Sequence, residues 1–326
     1  MVYKKKLAVL SGLVGILAAV YLLTLFFDPE RVNTRSAAFL WLDPKLQDQA
    51  DGIEIAKAGE WGNPVKLLRR GDAWYTVIGD AEFPAKTTRV EDLLRILGSR
   101  GAYPVRGSAA SSHERLGLAE NSAARIVVKG GAGLPLLDLL IGGRDAAGQE
   151  VYLRKNGQNE VRSGEDKLSA YISGAETSWY NLRLFSGPQA AQATLDAVQR
   201  VTVNPLPPTE DGGIREEPLV ITRNGGGWSI PGLDDESVDS QKVDTYVRGI
   251  LDAEGENFVP GLNAASAAFN DGRIVLELGN GASLTLNVGS LPGDKRGATV
   301  NGSSYVYTLA DWTITRLFRE RAYFVK

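Results

Sequence analysis

The side chains best suited to chemistry are few and scattered in this sequence. Its single histidine, His113, lies between Ser112 and Glu114, where a base could activate a hydroxyl nucleophile. The surroundings suggest no Ser-His-Asp arrangement, and one histidine without any cysteine cannot build a usual structural zinc site. We predict that His113 is a surface residue, that there are no catalytic residues, and that the protein is not an enzyme.

Two glycine clusters and one acidic cluster resemble ligand sites. The glycines at 130–133 and 225–227 lack the Lys-Ser/Thr ending and the following helix of a phosphate-binding loop, so hairpin turns explain them. The acidic residues within 234–239 could ligate calcium, but their spacing does not fit an EF-hand, and acids before a helix are favoured by its dipole. We therefore predict turns and a helix start there, with no metal and no cofactor.

The tryptophans do not predict an aromatic platform for sugars. Trp74 and Trp228 fall on predicted strands at equivalent places in the two halves of the chain, so we interpret both as core residues. Trp61, Trp179 and Trp312 have no assigned place in this interpretation.

An apolar segment at 7–27 carries no charge over its whole length and is long enough to cross a bilayer once as a helix. Lysines precede it and acidic residues follow it, so the positive-inside bias places the N-terminus in the cytoplasm and 28–326 outside. A cleaved signal peptide is the alternative. The length of the segment, and its ending in large residues, favour a retained anchor, so that 1–27 comprises a cytoplasmic start and a transmembrane helix.

Small residues recur at every fourth position of this segment, at Ser11, Gly15 and Ala19, and would line one face of the helix. Such a face lets transmembrane helices approach closely. It predicts packing against another membrane protein, although small residues are common in membrane helices in any case.

The juxtamembrane segment 28–50 contains four consecutive apolar residues, Phe39, Leu40, Trp41 and Leu42. They predict either contact with the membrane interface or a lead-in to the first folded domain.

Charge and cysteine content narrow the possible partners. The formal net charge of the chain is −3, and three of its lysines precede the anchor, so the exported part is more acidic still. A nucleic-acid partner is therefore excluded, because such proteins need a basic surface. Without cysteine the chain has no disulfide and no lipidation site of the lipobox type, so its stability must come from packing.

The exported part repeats itself. Residues 125–127 recur as 273–275, and a Leu-x-Leu-x-aliphatic-Gly pattern at 137–142 recurs at 284–289, in the same order and at nearly the same offset. We predict two tandem homologous domains, repeat 1 at 51–185 and repeat 2 at 196–326, joined by a connection at 186–195.

Each repeat predicts hairpin-connected strands around one amphipathic helix. The first helical stripe comprises Val90, Leu93, Leu94 and Leu97, and the second comprises Val243, Tyr246, Val247, Ile250 and Leu251. Thr88 with Glu91 predicts a capping box, and Ser240 predicts the second cap. Few helices and many hairpins favour an α+β fold with mainly antiparallel sheets over a parallel α/β sheet.

With this layout the chain resembles domain-of-unknown-function family 4340 over residues 50–326. The residues that carry the resemblance are Trp74, 116–118, 125–128, 137–142 and 151–152. The resemblance implies a bacterial envelope protein with one N-terminal anchor, often encoded beside ABC transporter components of the gliding-motility auxiliary type. It implies no catalytic residues. Repeat 2 departs from the pattern at its proline-rich loop and in a shorter turn at 289–297.

Together these observations predict a non-enzymatic, single-pass protein of the bacterial inner membrane whose residues 28–326 are periplasmic or extracytoplasmic. It would act as a scaffold or accessory subunit through protein-protein contacts, plausibly in an ABC-type transport complex. The alternative is an extracytoplasmic binding module for a polysaccharide or small ligand.

Overall fold

The computed structural model describes residues 12, 14–18, 21, 38–186, 190–206 and 217–326. Gly15 lies in a helical stretch at 14–18, whereas Ser11, Ala19 and most of the predicted anchor lie outside the described residues. Within the described part of the chain, no helix is both long enough and apolar enough to span a membrane. The anchor stays a prediction.

The first half of the described chain is mainly short strands. They are β1 (Ala38–Phe39), β2 (Gly52–Ala56), β3 (Val65–Arg70), β4 (Ala73–Ile78), β5 (Ala81–Pro84), β6 (Gly101–Ala102), β7 (Val105–Gly107), β8 (Ala124–Lys129), β9 (Pro135–Arg144), β10 (Glu150–Lys155) and β11 (Val161–Glu165). The α-helices among them are α1 (Pro44–Gln47), α2 (Thr87–Leu97) and α3 (Ser169–Ile172).

The second half of the described chain also consists mainly of short strands. Its strands are β12 (Val198–Asn204), β13 (Leu219–Asn224), β14 (Gly227–Ser229), β15 (Asn257–Asn263), β16 (Gly272–Leu278), β17 (Ser283–Leu291), β18 (Lys295–Val300) and β19 (Tyr305–Leu309). Its α-helices are α4 (Ser240–Leu251) and α5 (Asp311–Leu317). Short 3-10 turns lie at Ala110–Ser112, Gly131–Gly133, Glu176–Trp179, Ala190–Gln192, Leu195–Ala197, Asp235–Ser237 and Arg321–Phe324.

Two large sheets dominate the structure. One has the order β5-β4-β3-β2-β8-β9-β10-β11-β7, the other has the order β14-β13-β12-β16-β17-β18-β19-β15, and β1 pairs separately with β6. The strand pairs are antiparallel. A mixed fold of antiparallel sheets with few helices is thereby confirmed.

The two sheets share most of their connectivity. The first begins with a four-strand meander, β2 to β5, and the second begins with a three-strand meander, β12 to β14. In each, the meander is followed by one long helix, a strand at the far edge, and four strands that lead from the meander back to that edge. Duplication as the origin of this likeness stays a prediction.

The contacts divide the chain into two compact units. Unit 1 comprises Met1–Tyr75 and Lys86–Ser178, and unit 2 comprises Thr76–Ala85 and Trp179–Lys326. Strand β4 begins in unit 1 and ends in unit 2 because the division falls between Tyr75 and Thr76. The repeat bounds 51–185 and 196–326 stay a prediction, since they concern homology and not compactness.

Both predicted helices form. Helix α2 buries its whole predicted stripe, Val90, Leu93, Leu94 and Leu97. Helix α4 buries Val243, Tyr246, Val247 and Ile250, whereas the fifth predicted member, Leu251, is only partly buried. A stripe at this spacing lies on one side of a helix, so it packs on its sheet while the polar side stays in water.

The predicted helix caps are wrong in detail. Helix α2 begins at Thr87 after Lys86, which makes no side-chain cap, so Thr88 already lies inside the first turn and forms no capping box. Helix α4 is capped by Asp239, whose carboxylate accepts from the backbone N–H groups of Gln241 and Lys242 at 3.1 Å each. Ser240 is the first residue of the helix. A carboxylate at the cap also interacts favourably with the helix dipole.

Two Asn-Gly pairs, a sequence typical of hairpin turns, join neighbouring strands of the second sheet. Gly281 lies between β16 and β17 with φ +83°, and Gly302 lies between β18 and β19 with φ +76°. Positive φ is strained for a residue with a Cβ, so the Asn-Gly pairs fix these turns.

Candidate functional site

The structure corrects the prediction for His113. The side chain is only 9% exposed, and its Nε2 lies 3.1 Å from the carbonyl oxygen of Asn159. The residue is therefore a buried, hydrogen-bonded part of unit 1 and not a surface residue. The N–H of Leu118, which is fully buried, donates to the backbone carbonyl of His113 at 2.7 Å.

The other predicted sites have structural roles. The glycines of 130–133 lie between β8 and β9, and Gly225 and Gly226 lie between β13 and β14, as the hairpin interpretation predicts, whereas Gly227 is the first residue of β14. In the described residues, no group of three acidic, histidine or cysteine side chains could hold a metal ion.

The apolar stretch at 39–42 enters unit 1. Phe39 belongs to β1, which pairs with β6, and Trp41 and Leu42 are buried. Burial favours the lead-in to the first domain, since a buried tryptophan cannot reach a membrane. Contact of the more exposed Phe39 and Leu40 with the membrane interface stays a prediction.

A charged network lies on one face of the unit 1 sheet. The guanidinium of Arg125 donates to both carboxylate oxygens of Asp138, at 2.8 and 2.7 Å, and Asn156 donates to the same carboxylate at 2.9 Å. The ring of Trp61 covers the guanidinium, with 4.7 Å from Cζ to the ring centroid. Trp61 is itself held by its indole N–H, which donates to the carbonyl of Ala123 at 2.7 Å.

The pKa values of this network follow from its contacts. Burial on its own would raise the pKa of Asp138, but the hydrogen bonds from Arg125 and Asn156 lower it, and the net shift is downward. The hydrogen bond to Asp138 raises the pKa of Arg125. The two shifts agree, so the pair is fully ionised at neutral pH and has no proton to exchange in a reaction.

The remaining carboxyl groups with a lowered pKa are also tied to donors in unit 1. A hydrogen bond from Ser163 lowers the pKa of Glu150, and backbone N–H groups lower the pKa of Asp145. In unit 2, burial raises the pKa of Tyr246, whose hydroxyl donates to the carbonyl of Leu317 at 2.6 Å. None of these groups is tuned toward neutral pH, as a general acid or base would be.

Among the described residues of unit 2, three clefts have volumes that suit a small ligand. The first, about 390 Å³, is lined mainly by Arg319, Glu320, Arg321 and Phe318. The second, about 440 Å³, adjoins the ion pair between Arg183 and Asp252. The third, about 410 Å³, is lined by Asn204, Pro205, Pro218, Phe269, Asn270, Gly272, Arg273 and Asn287.

Beside the first cleft, helix α5 and the C-terminal turn carry exposed aromatic side chains. Trp312 is 64% exposed and Tyr323 is 37% exposed. The guanidinium of Arg316 lies 5.1 Å from the ring centroid of Trp312, and that of Arg319 lies 4.7 Å from the ring centroid of Tyr323. We call Trp312, Arg316, Arg319, Arg321 and Tyr323 the C-terminal aromatic surface.

The arginines of this surface keep their charge available. Within the described part of the chain, Arg316, Arg319 and Arg321 form no salt bridge. Three unneutralised cations beside two exposed rings can recognise acidic and aromatic groups of a partner.

This surface was not predicted from the sequence, because Trp312 had no assigned place in the two halves of the chain. A signal was present, since Trp312 and Arg316 are four residues apart and share a face of α5. The buried residues of this helix, Thr313 and Leu317, mark a different face.

The sequence model of the family described as "Domain of unknown function (DUF4340)" matches residues 74–271, which is more than half of the chain. Neither the comparison with curated proteins nor the comparison with solved structures found a match.

Proposed function

The chain belongs to the DUF4340 family, and on this premise we propose that it is a non-enzymatic, single-pass envelope protein. It acts as a scaffold or accessory subunit through protein-protein contacts. Its partner is another membrane or envelope protein, such as a component of an ABC-type transport complex, as the resemblance described above implies.

The C-terminal aromatic surface is the observation that carries this proposal. Tryptophan, tyrosine and arginine are the residues enriched in the energetic centres of protein interfaces. An exposed tryptophan with an arginine stacked on it has much to gain from burial by a partner.

The anchor and its location are part of the proposal. Val14, Ile16, Leu17 and Tyr21 are large apolar side chains that all stand exposed in the described part of the N-terminal segment. Exposure of such residues in succession is unfavourable in water and favourable in lipid, which supports insertion into the bacterial inner membrane. The positive-inside bias then leaves 28–326 on the periplasmic side.

Duplication is the third element of the proposal, and the shared strand order of the two sheets supports it. Two modules of one design on one anchor suit a protein that presents surfaces to partners. Unit 2 alone carries the C-terminal aromatic surface, which lies past the last strand of its sheet.

Partner capture tests the contact function directly. Full-length protein purified from detergent-solubilised membranes should retain specific membrane or envelope proteins, and Trp312→Ala should reduce their recovery at least tenfold because it removes a hot-spot side chain. Leu134→Ala is the matched control, since Leu134 is 66% exposed in unit 1; its recovery should stay within twofold of the wild type. If the wild type retains nothing that an unrelated anchored protein does not, the contact function is wrong.

A second substitution tests the anchor face formed by Ser11, Gly15 and Ala19. Gly15→Leu should reduce recovery of membrane-embedded partners severalfold, because the larger side chain keeps a second helix at a distance. Val14→Leu changes the neighbouring face and should have no such effect. Equal recovery from both variants, measured by quantitative mass spectrometry of the purified complexes, would remove this face from the proposal.

A second candidate function, binding of a polysaccharide or small ligand, is favoured by the polar lining of the third cleft, where four side chains have no partner in the described part of the chain.

A further inference from the structure

Three polar side chains stand in a row across the sheet of unit 2. Asn204 on β12 lies opposite Arg273 on β16, and Arg273 lies opposite Asn287 on β17. Directly opposed residues of antiparallel strands project from the same face with Cβ atoms about 5 Å apart. The row therefore presents amide, guanidinium and amide groups side by side along one wall of the third cleft.

The hydrogen-bonding capacity of this row is unused. In the part of the chain that the structure describes, the side chains of Asn204, Arg273 and Asn287 have no hydrogen bond and no ion pair. The nearby carboxylate of Asp271 accepts from Arg296 and from Ser290 at 2.9 Å each. Among the described residues, the charged side chain that lines the cleft is Arg273, and it has no ion pair there.

An aromatic ring is fixed beside the row. Phe269 lies on the paired glycines Gly289 and Gly297, and a Cβ at either position would come within 2.4 or 2.5 Å of its ring atoms. Only glycine at both positions lets the ring approach the strands so closely. The backbone of this loop is held by the N–H of Asp271, which donates to the carbonyl of Val288 at 3.0 Å. The ring is a preorganised wall of the cleft.

The corresponding place in unit 1 is closed. Arg125 has the sequence position equivalent to Arg273, but Asp138 neutralises it and Trp61 covers it. Its neighbour on β9 is Leu140, where unit 2 has Asn287. At equivalent positions, therefore, Arg125 of unit 1 is ion-paired and covered by a ring, whereas Arg273 of unit 2 lies between two asparagine side chains.

We infer that the third cleft of unit 2 binds a saccharide that carries a carboxylate, such as a uronic acid residue of a glycan. The guanidinium of Arg273 would pair with the carboxylate, the two amides would donate to and accept from ring hydroxyls, and Phe269 would stack on the apolar face of the sugar. Asn270, which also lines the cleft, adds a third amide. This site goes beyond the proposed contact function, since none of its residues belongs to the C-terminal aromatic surface.

The test uses the full-length protein in detergent and isothermal titration calorimetry with two oligosaccharides of matched length. Oligogalacturonate is the acidic probe, and maltooligosaccharide is the neutral one. The acidic probe should bind at least tenfold more tightly, and both Arg273→Gln and Asn287→Leu should weaken its binding at least tenfold. Asn287→Leu introduces the residue type that unit 1 has at this position.

Arg200→Gln is the matched control. Arg200 lies on the same strand and the same sheet face as Asn204, four residues away. Its substitution by glutamine therefore removes the same charge as Arg273→Gln, but outside the cleft. It should leave binding within twofold. Absence of oligogalacturonate binding, or an equal loss in Arg200→Gln, would overturn the site. Equal binding of the neutral oligosaccharide, or equally strong binding of acetate, would overturn the assignment of an acidic saccharide.

Discussion

Replacement of Phe324 by alanine is expected to lower the free energy of unfolding of unit 2 by about 3–5 kcal/mol, the range for truncating a large buried aromatic residue. Phe324 is fully buried, and its ring meets the ring of Tyr246 on α4 edge-on at a centroid distance of 5.1 Å. Its carbonyl accepts from the N–H of Asp239, the cap of α4, at 2.8 Å. The ring of Phe324 therefore packs the C-terminal residues against helix α4 of unit 2.

The adjacent Tyr323 provides the control, since its side chain is partly exposed. Tyr323→Ala should cost less than about 1 kcal/mol, because most of the lost contact is at the surface. Urea unfolding of the full-length protein in detergent, followed by far-UV circular dichroism, measures both variants. Similar losses from the two substitutions would contradict the packing of Phe324 described here.

The parts of the fold that the sequence predicted correctly depend on local patterns. The stripe of Val90, Leu93, Leu94 and Leu97 repeats with the period of a helix, and the two Asn-Gly pairs require positive φ, so both can be recognised within a few residues. Antiparallel pairing followed from the density of such turns. These features need no knowledge of distant parts of the chain.

Features that depend on distant contacts were not predictable. His113 is buried because its ring meets the backbone at Asn159. Phe83 is a core residue of unit 2 because its ring stacks on that of Phe258 at 4.7 Å, far away in sequence. The cap of α4 was missed for a different reason, since Asp239 and Ser240 are adjacent and both are favoured at a cap.

The site around Arg273 was difficult to predict because the two halves of the chain have similar sequences. Arg125 and Arg273 lie in the same short motif, so the two residues look equivalent in the sequence. The difference lies in the next strand, where Asp138 stands between two leucines and Thr285 stands at the matching place. The carboxylate of Asp138 forms an ion pair with Arg125, whereas the uncharged Thr285 cannot neutralise Arg273. This exchange was visible in the sequence, but its meaning depended on the strand register.

Removal of the Asp138 carboxylate should destabilise the folded protein. Asp138→Ala is expected to lower the free energy of unfolding by about 2–3 kcal/mol at pH 7, because it leaves Arg125 without its counter-ion beneath Trp61 and leaves Asn156 without an acceptor. The exposed helical pair of Asp92 and Arg95 supplies the control. Asp92→Ala should leave the free energy of unfolding nearly unchanged, since such surface pairs contribute little.

The same carboxylate should make stability depend on pH in the acid range. Because folding lowers the pKa of Asp138, the unfolded chain takes up a proton first as the pH falls. The stabilisation is complete above the unfolded value of about 3.9 and is lost as the pH drops through the folded value. Urea titrations between pH 7 and pH 2.5 should therefore show the wild type and Asp138→Ala converging below about pH 4. A gap that stays constant over this range would mean that the contribution of Asp138 is packing and not charge.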